Sequence, residues 1–242
     1  MRLPIKLFVI CMLLTQRIAP AMAVEDINIY LMEVKPYTID APEKKGIVGD
    51  VVLEAMRRAG YRPNIIVVPS PRALLLVPDL QNTLIIPLAR LKEREADFTW
   101  IARVTNVDRA FFTLDKKVNS FAEAKASFKS IGVSRGSAGL RILLDQGFDK
   151  AQIAEVDQGV TAVKMLQAER FEAWYNPIRE AQDLEKEAGA PAFVMSPPLG
   201  PTEQYLGCSK RCDETLVRRL AEEIKEMRQE GIIKKIVASY RE

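Results

Sequence analysis

The 242-residue sequence contains no histidine. That absence excludes Ser-His-Asp and Cys-His catalysis, which need an imidazole base. It also removes the usual ligand of a catalytic zinc ion. Neither GxGxxG nor GxxxxGK occurs, so no glycine-rich loop is present to cradle a dinucleotide or a triphosphate. No cofactor is therefore expected. Any chemistry here would fall to carboxylates, lysine or tyrosine.

Long hydrophobic runs are scarce as well. The first one, Leu7 to Leu14, is too short to span a bilayer. It follows Arg2 and Lys6 and precedes Ala21-Met22-Ala23, a small-x-small cleavage pattern. Residues 1–23 thus read as a secretory signal cleaved near Ala23, and the expected location is the periplasm. Cys11 has no convincing lipoprotein signature before it, and no later stretch is apolar enough for a membrane helix.

An excess of charge is also missing. The chain has 35 basic and 32 acidic residues. Arg2, Lys6 and Arg17 leave with the signal, so the remaining chain is near neutral. Nothing supports electrostatic binding of nucleic acid. Only Cys208 and Cys212 would remain of three cysteines. In an oxidising compartment they either form a local disulfide or stay as free thiols.

What is present is an alternation of strand-like and helix-like segments. Asn28–Met32 reads as a strand, Gly46–Gly60 as a helix with apolar residues at the helical period, and Asn64–Val68 as a second strand. Ser70-Pro71 opens a helix, with Ser70 as cap. Thr83–Leu88 follows as a short, buried strand. It runs directly into Arg90, Lys92, Glu93 and Arg94. Charges at the end of a buried strand fit the rim of a cleft, because open α/β sheets bind ligands outside the carboxyl ends of their strands.

Two more strands, Trp100–Val104 and Arg109–Leu114, lead to a crossing near Leu114 and a second α/β pattern. Its elements are a helix from Phe121, strands at Ser130–Ser134, Ile153–Val156 and Glu172–Asn176, and the helices between and after them. Ser196 to Pro201 resists both helix and central strand and marks the return. A last strand, Gln204–Gly207, and a long helix capped by Asp213 close the chain. Residues 24–114 with 199–242 form one lobe and 115–198 the other. The fold class is α/β, two-lobed, each lobe a mostly parallel sheet flanked by helices, with two hinge crossings. Such a pair of lobes can close on a ligand.

Several short segments carry a resemblance. They are Glu33-x-x-Pro36-Tyr37, Gly49-Asp50, Ala89 to Glu95, Ile131 to Ser137, and Glu230-Gly231-Ile232 with Ile236 and Tyr240. In their order and spacing the chain resembles periplasmic solute-binding proteins of family 3, which have the type 2 periplasmic binding protein fold and include polar amino-acid receptors of ABC importers. The resemblance covers nearly all of the chain after the signal. It implies that Arg94 clamps a ligand carboxylate through its fork of donors. It also implies that the turn Arg135-Gly136-Ser137-Ala138 offers helix N-terminal amides and the Ser137 hydroxyl to the same group. Arg135 is either part of this contact or an interlobe surface charge.

Ala89, Glu33 and Tyr37 are further candidates to contact the ligand; Tyr37 is either core filler or an aromatic lid. The family's ammonium-binding aspartate is replaced by Pro177, with Asn176 adjacent. Trp174 and Tyr175 are candidates to stack on a ligand, and strand alternation is expected to send one of them into the cleft.

Three readings follow. The first is a monomeric binder of a small carboxylate-bearing solute, serving an ABC importer complex without catalysis. The second is a sensor signalling to a membrane receptor. The third is an exported dehydratase of cyclohexadienyl acids, with Glu172 or Glu33 as the acid or base.

Overall fold

The computed structural model describes residues 24–240; the expected signal segment, with Cys11, lies outside the described residues. The chain runs β1 (Glu25–Leu31), α1 (Gly46–Arg58), β2 (Tyr61–Val67), α2 (Ser70–Leu76), β3 (Leu84–Ala89), β4 (Thr99–Val107), β5 (Arg109–Thr113), α3 (Phe121–Ser127), β6 (Ile131–Ser134) and α4 (Ala138–Asp145). It continues through β7 (Ile153–Val156), α5 (Val160–Gln167), β8 (Ala173–Pro177), α6 (Ile178–Glu187), β9 (Val194–Met195), β10 (Thr202–Cys208), α7 (Glu214–Gln229) and α8 (Ile232–Ala238).

Two five-stranded sheets result, ordered β2-β1-β3-β10-β4 and β7-β6-β8-β5-β9. In each, one strand runs against the others: β10 pairs antiparallel with both its neighbours, and so does β5. These are the strands that enter directly after each crossing between lobes. The two-lobed α/β architecture expected from the alternation of segments is the one observed.

The first crossing falls at Asp108, between β4 and β5, and not near Leu114. Both flanking runs are strand-like and nearly continuous, so their composition carries no break where the chain changes sheets. The return lies between β9 and β10, across the proline-rich segment. Ser70 is the first residue of α2 and Pro69 its cap, a shift of one position from the expected start.

Strand β3 is buried along its whole length because helices cover both faces of its sheet. α7 shows the opposite pattern. Leu216, Leu220, Ile224 and Met227 form one buried stripe on an otherwise charged helix. Each such side chain contributes about 1.5–3 kcal/mol of burial. Asp213 caps it by accepting from the amides of Thr215 and Leu216 at 2.8 and 3.0 Å, worth about 1 kcal/mol.

Several residues of the family-like pattern meet here. The Tyr240 hydroxyl donates to Asp50 Oδ2 and accepts from the Gly46 amide at 3.0 Å, tying α8 to the start of α1. Gly46 has φ +90°, and a Cβ there would lie 2.6 Å from Thr38 Cα and from the Tyr37 carbonyl. Only glycine fits this turn. Cys208 and Cys212 are bonded, with S–S 2.07 Å. No described helix is long and apolar enough to cross a membrane.

Candidate functional site

The carboxyl ends of β1, β3, β6 and β8 converge on the gap between the lobes. The lobes touch across it. A Cβ at Gly136 would lie 2.9 Å from Pro71 Cγ of the other lobe. Arg141 reaches Glu93 at 3.6 Å, and Arg179 donates to the Tyr240 carbonyl at 3.3 Å. The gap holds an inner chamber of about 50 Å³ and an outer one of about 550 Å³. Ser70, Gln158 and Glu180 line both.

The loop after β3 separates two arginines four residues apart. Arg90 turns outward. It forms a two-point ion pair with Glu95, at 2.8 and 3.1 Å, and lies over the rings of Trp100 and Tyr205. Arg94 turns inward and lines the inner chamber. Its Nη1 donates to the Ala89 carbonyl at 3.4 Å, and it has no carboxylate partner among the described residues. Burial disfavours its charged form, Arg109 adds repulsion, and Glu93 partly offsets both.

Facing it from the second lobe is the turn between β6 and α4. Gly136 is left-handed, at φ +69°. Ser137 caps α4 by accepting from the Gly139 amide at 3.2 Å, which leaves its hydroxyl hydrogen free to donate inward. Arg94, Ser137, Ala89 and Tyr37 therefore share one chamber. The Tyr37 hydroxyl is pushed up to about 12, first by burial. Glu33 and Arg135 line only the outer chamber, where Arg135 stands 3.7 Å from Asp157.

Trp174 and Tyr175 depart from expectation. Both are fully buried, on opposite faces of β8, and neither lines a chamber. Trp174 packs against Phe112 under α5 and α6, while the Tyr175 hydroxyl donates to the Leu199 carbonyl at 2.9 Å. Strand alternation sends each to a helix-covered core, because this sheet has no open face. The end of the strand reaches the chamber instead, through Pro177.

Asn176 is buried and does not line the chamber. Its Nδ2 donates to Glu180 at 3.1 Å and its Oδ1 accepts from the Ser134 hydroxyl at 3.4 Å. Glu172 sits at the far end of β8, exposed, accepting from the Lys129 amide.

Two charged residues of the inner chamber were not singled out from the sequence, Arg109 and Glu180. Both are 4% exposed. Arg109 opens β5 at the hinge, and its Nε has no acceptor. Burial disfavours its charge. The Glu180 carboxyl is pushed up to about 7 by burial, against the pull of Arg109 and the Asn176 hydrogen bond. A signal existed for each: Glu180 stands on the apolar face of α6 with Ala181 and Leu184, and Arg109 heads a strand otherwise without charge.

The inner chamber is thus a small recess with convergent N–H and O–H donors from both lobes. Such an arrangement can grip a small anion and couple its binding to closure.

No protein-family model matches the chain, and no curated protein sequence matches it significantly. Solved structures match over nearly its whole length. A histidine kinase sensor domain with similarity to periplasmic binding proteins superposes with a TM-score of 0.80 at 12% identity, covering 90% of this chain and 96% of that one. A substrate-binding protein of an ABC uptake transporter from Streptococcus pneumoniae, with bound histidine, gives 0.76 at 14% identity, covering 89% and 92%. An ancestral amino acid-binding protein, a precursor of cyclohexadienyl dehydratase, gives 0.75 at 13%, covering 90% and 96%. The fold is that of the two-lobed periplasmic binding proteins.

Proposed function

We propose that this protein is an exported binding protein that captures a small carboxylate-bearing solute, an amino acid or a relative, between its lobes and delivers it to an ABC importer. The observation carrying this reading is Arg94: a guanidinium in the inner chamber without a carboxylate partner among the described residues, opposite Ser137 and the start of α4. A fork of donors from one lobe and helix amides from the other suit the two oxygens of one carboxylate. The leader-like residues 1–23 support export to the periplasm. Glu172 and Glu33, the carboxylates considered for dehydratase chemistry, lie outside the inner chamber.

A thermal-unfolding screen across amino acids, dicarboxylates and aromatic acids tests the reading. A ligand at 100 times its Kd adds about 2.7 kcal/mol. For a domain of this size that is a rise of roughly 5–10 °C. Arg94→Gln should abolish the rise while leaving the unliganded melting temperature in place. If no carboxylate raises the melting temperature, the reading fails. If the unliganded variant collapses, Arg94 is structural and the site is wrong.

A second reading is a sensor that reports occupancy to a membrane receptor, favoured by the likeness to a kinase sensor domain. Solute-dependent crosslinking in cells separates the two by the partner trapped, an importer permease or a signalling receptor.

A further inference from the structure

The inner chamber has an unusual charge balance. Its ionisable liners are Tyr37, Arg94, Arg109 and Glu180. Two are guanidinium groups, and neither lies within ion-pair distance of a carboxylate among the described residues. An unpaired buried charge is costly, and an anionic ligand group would offset that cost. Arg109 is the sharper case: it is 4% exposed, yet it lines the chamber.

An α-amino zwitterion would need a carboxylate for its ammonium. The end of β8 offers Pro177, which has no polar side-chain atom, and Asn176 is occupied by Ser134 and Glu180. Glu180 is the remaining carboxyl, one of its oxygens already accepts from Asn176, and burial drives it toward its neutral form. The chamber therefore favours negative charge beyond a single carboxylate.

We infer that Arg109 is a second anion anchor and that the site takes a short dicarboxylate, one group on Arg94 and the other on Arg109, in preference to an α-amino zwitterion. This rests on the carboxylate reading proposed above and narrows it to a substrate class. The small inner chamber suits two acidic groups separated by a short chain. Arg109 heads the strand that follows the first crossing, so a ligand held there spans the hinge and both lobes.

The test is calorimetry on the exported chain with succinate and glutarate, their monoamides succinamate and glutaramate, and the zwitterions glutamine and alanine. Each monoamide keeps the shape of its diacid and removes one charge. The wild type is expected to bind a diacid roughly 10- to 100-fold tighter than its monoamide, the worth of one charge-assisted hydrogen-bond pair. Arg109→Gln should bring that ratio below about 3-fold, chiefly by weakening the diacid. Circular dichroism checks that the variant folds; if it does not, the wild-type comparison of diacid with monoamide decides alone.

Equal binding of diacid and monoamide by the wild type overturns the inference, as does an unchanged ratio in a folded Arg109→Gln. Zwitterions that bind in an Arg94-dependent way while diacids fail would make Glu180 the ammonium acceptor. The carboxylate reading would then stand and the second anchor fall. Failure of every carboxylate would remove both.

Discussion

The two lobes meet the inner chamber with different surfaces. The first lobe presents an apolar wall, built of Met32, Val34, Leu74, Pro87, Ala89 and Val107, broken mainly by Arg94, Tyr37, Ser70 and Gln204. The second is more polar at the same place: Arg109, Ser137, Gln158 and Glu180 line it, with Gly136, Ala138 and Pro177 between them. The difference follows from where each wall comes from. The first is the buried interior of β3 and its neighbours continued to the strand ends. The second is made of helix starts and the hinge, where backbone amides lack intrahelical partners. Arg94 thus comes from a largely apolar side of the chamber, and Arg109 and Glu180 from the more polar one.

The largest expected effect breaks the first wall. Arg94→Gln should weaken carboxylate binding at least about 100-fold, as loss of a two-point charged contact implies. Arg90→Ala, four residues away, should leave binding unchanged because Arg90 is spent on Glu95, Trp100 and Tyr205. Calorimetry on the pair checks both. Equal losses would show that the loop as a whole matters, not the side chain facing the chamber.

Glu180 sharpens the second wall. Its folded carboxyl takes up a proton at about 7, against 4.5 when exposed in the unfolded chain. Between these values the folded state binds more protons, so stability falls as pH rises through that window. The full loss, reached above about pH 7, is on the order of 3 kcal/mol. Glu180→Gln keeps the shape and the donor-acceptor capacity near Asn176, and should flatten that part of the profile. Melting curves of the ligand-free protein from pH 4 to 8 provide the check. A variant with the wild-type slope would show that another group carries the pH dependence.

The smallest effect on binding is expected from the first lobe's disulfide. Replacing Cys208 and Cys212 by serine opens a very short loop, whose chain-entropy contribution is about 2 kcal/mol at most. The melting temperature should fall by a few degrees and the affinity should not change. A loss of affinity would mean that β10, which carries Gln204, is held in place by the bridge.

Much of this was legible because it is written locally. Helix periods in α1 and α7, the Asp213 cap and the proline-rich return each depend on neighbours in sequence. So does the charged loop after a buried strand, and the lobes followed from the order of these segments. The crossing at Asp108 was not legible, since two strand-like runs flank it without a break. Nor was the fate of Trp174 and Tyr175: alternation assigns them to opposite faces but cannot say that helices cover both.

The sequence by itself determined that two α/β lobes, joined twice, would place basic groups at the ends of buried strands. Only the tertiary structure decided which groups share the recess. Arg94 turns in and Arg90 out because Glu95, Trp100 and Tyr205 occupy one side of the loop. Arg109 and Glu180, some seventy residues apart in sequence, enter the recess together because β5 pairs with β8 and α6 follows β8 directly, all within the second lobe. Periodicity records which side of an element is buried; whether that burial is in a core or in a site depends on what packs against it.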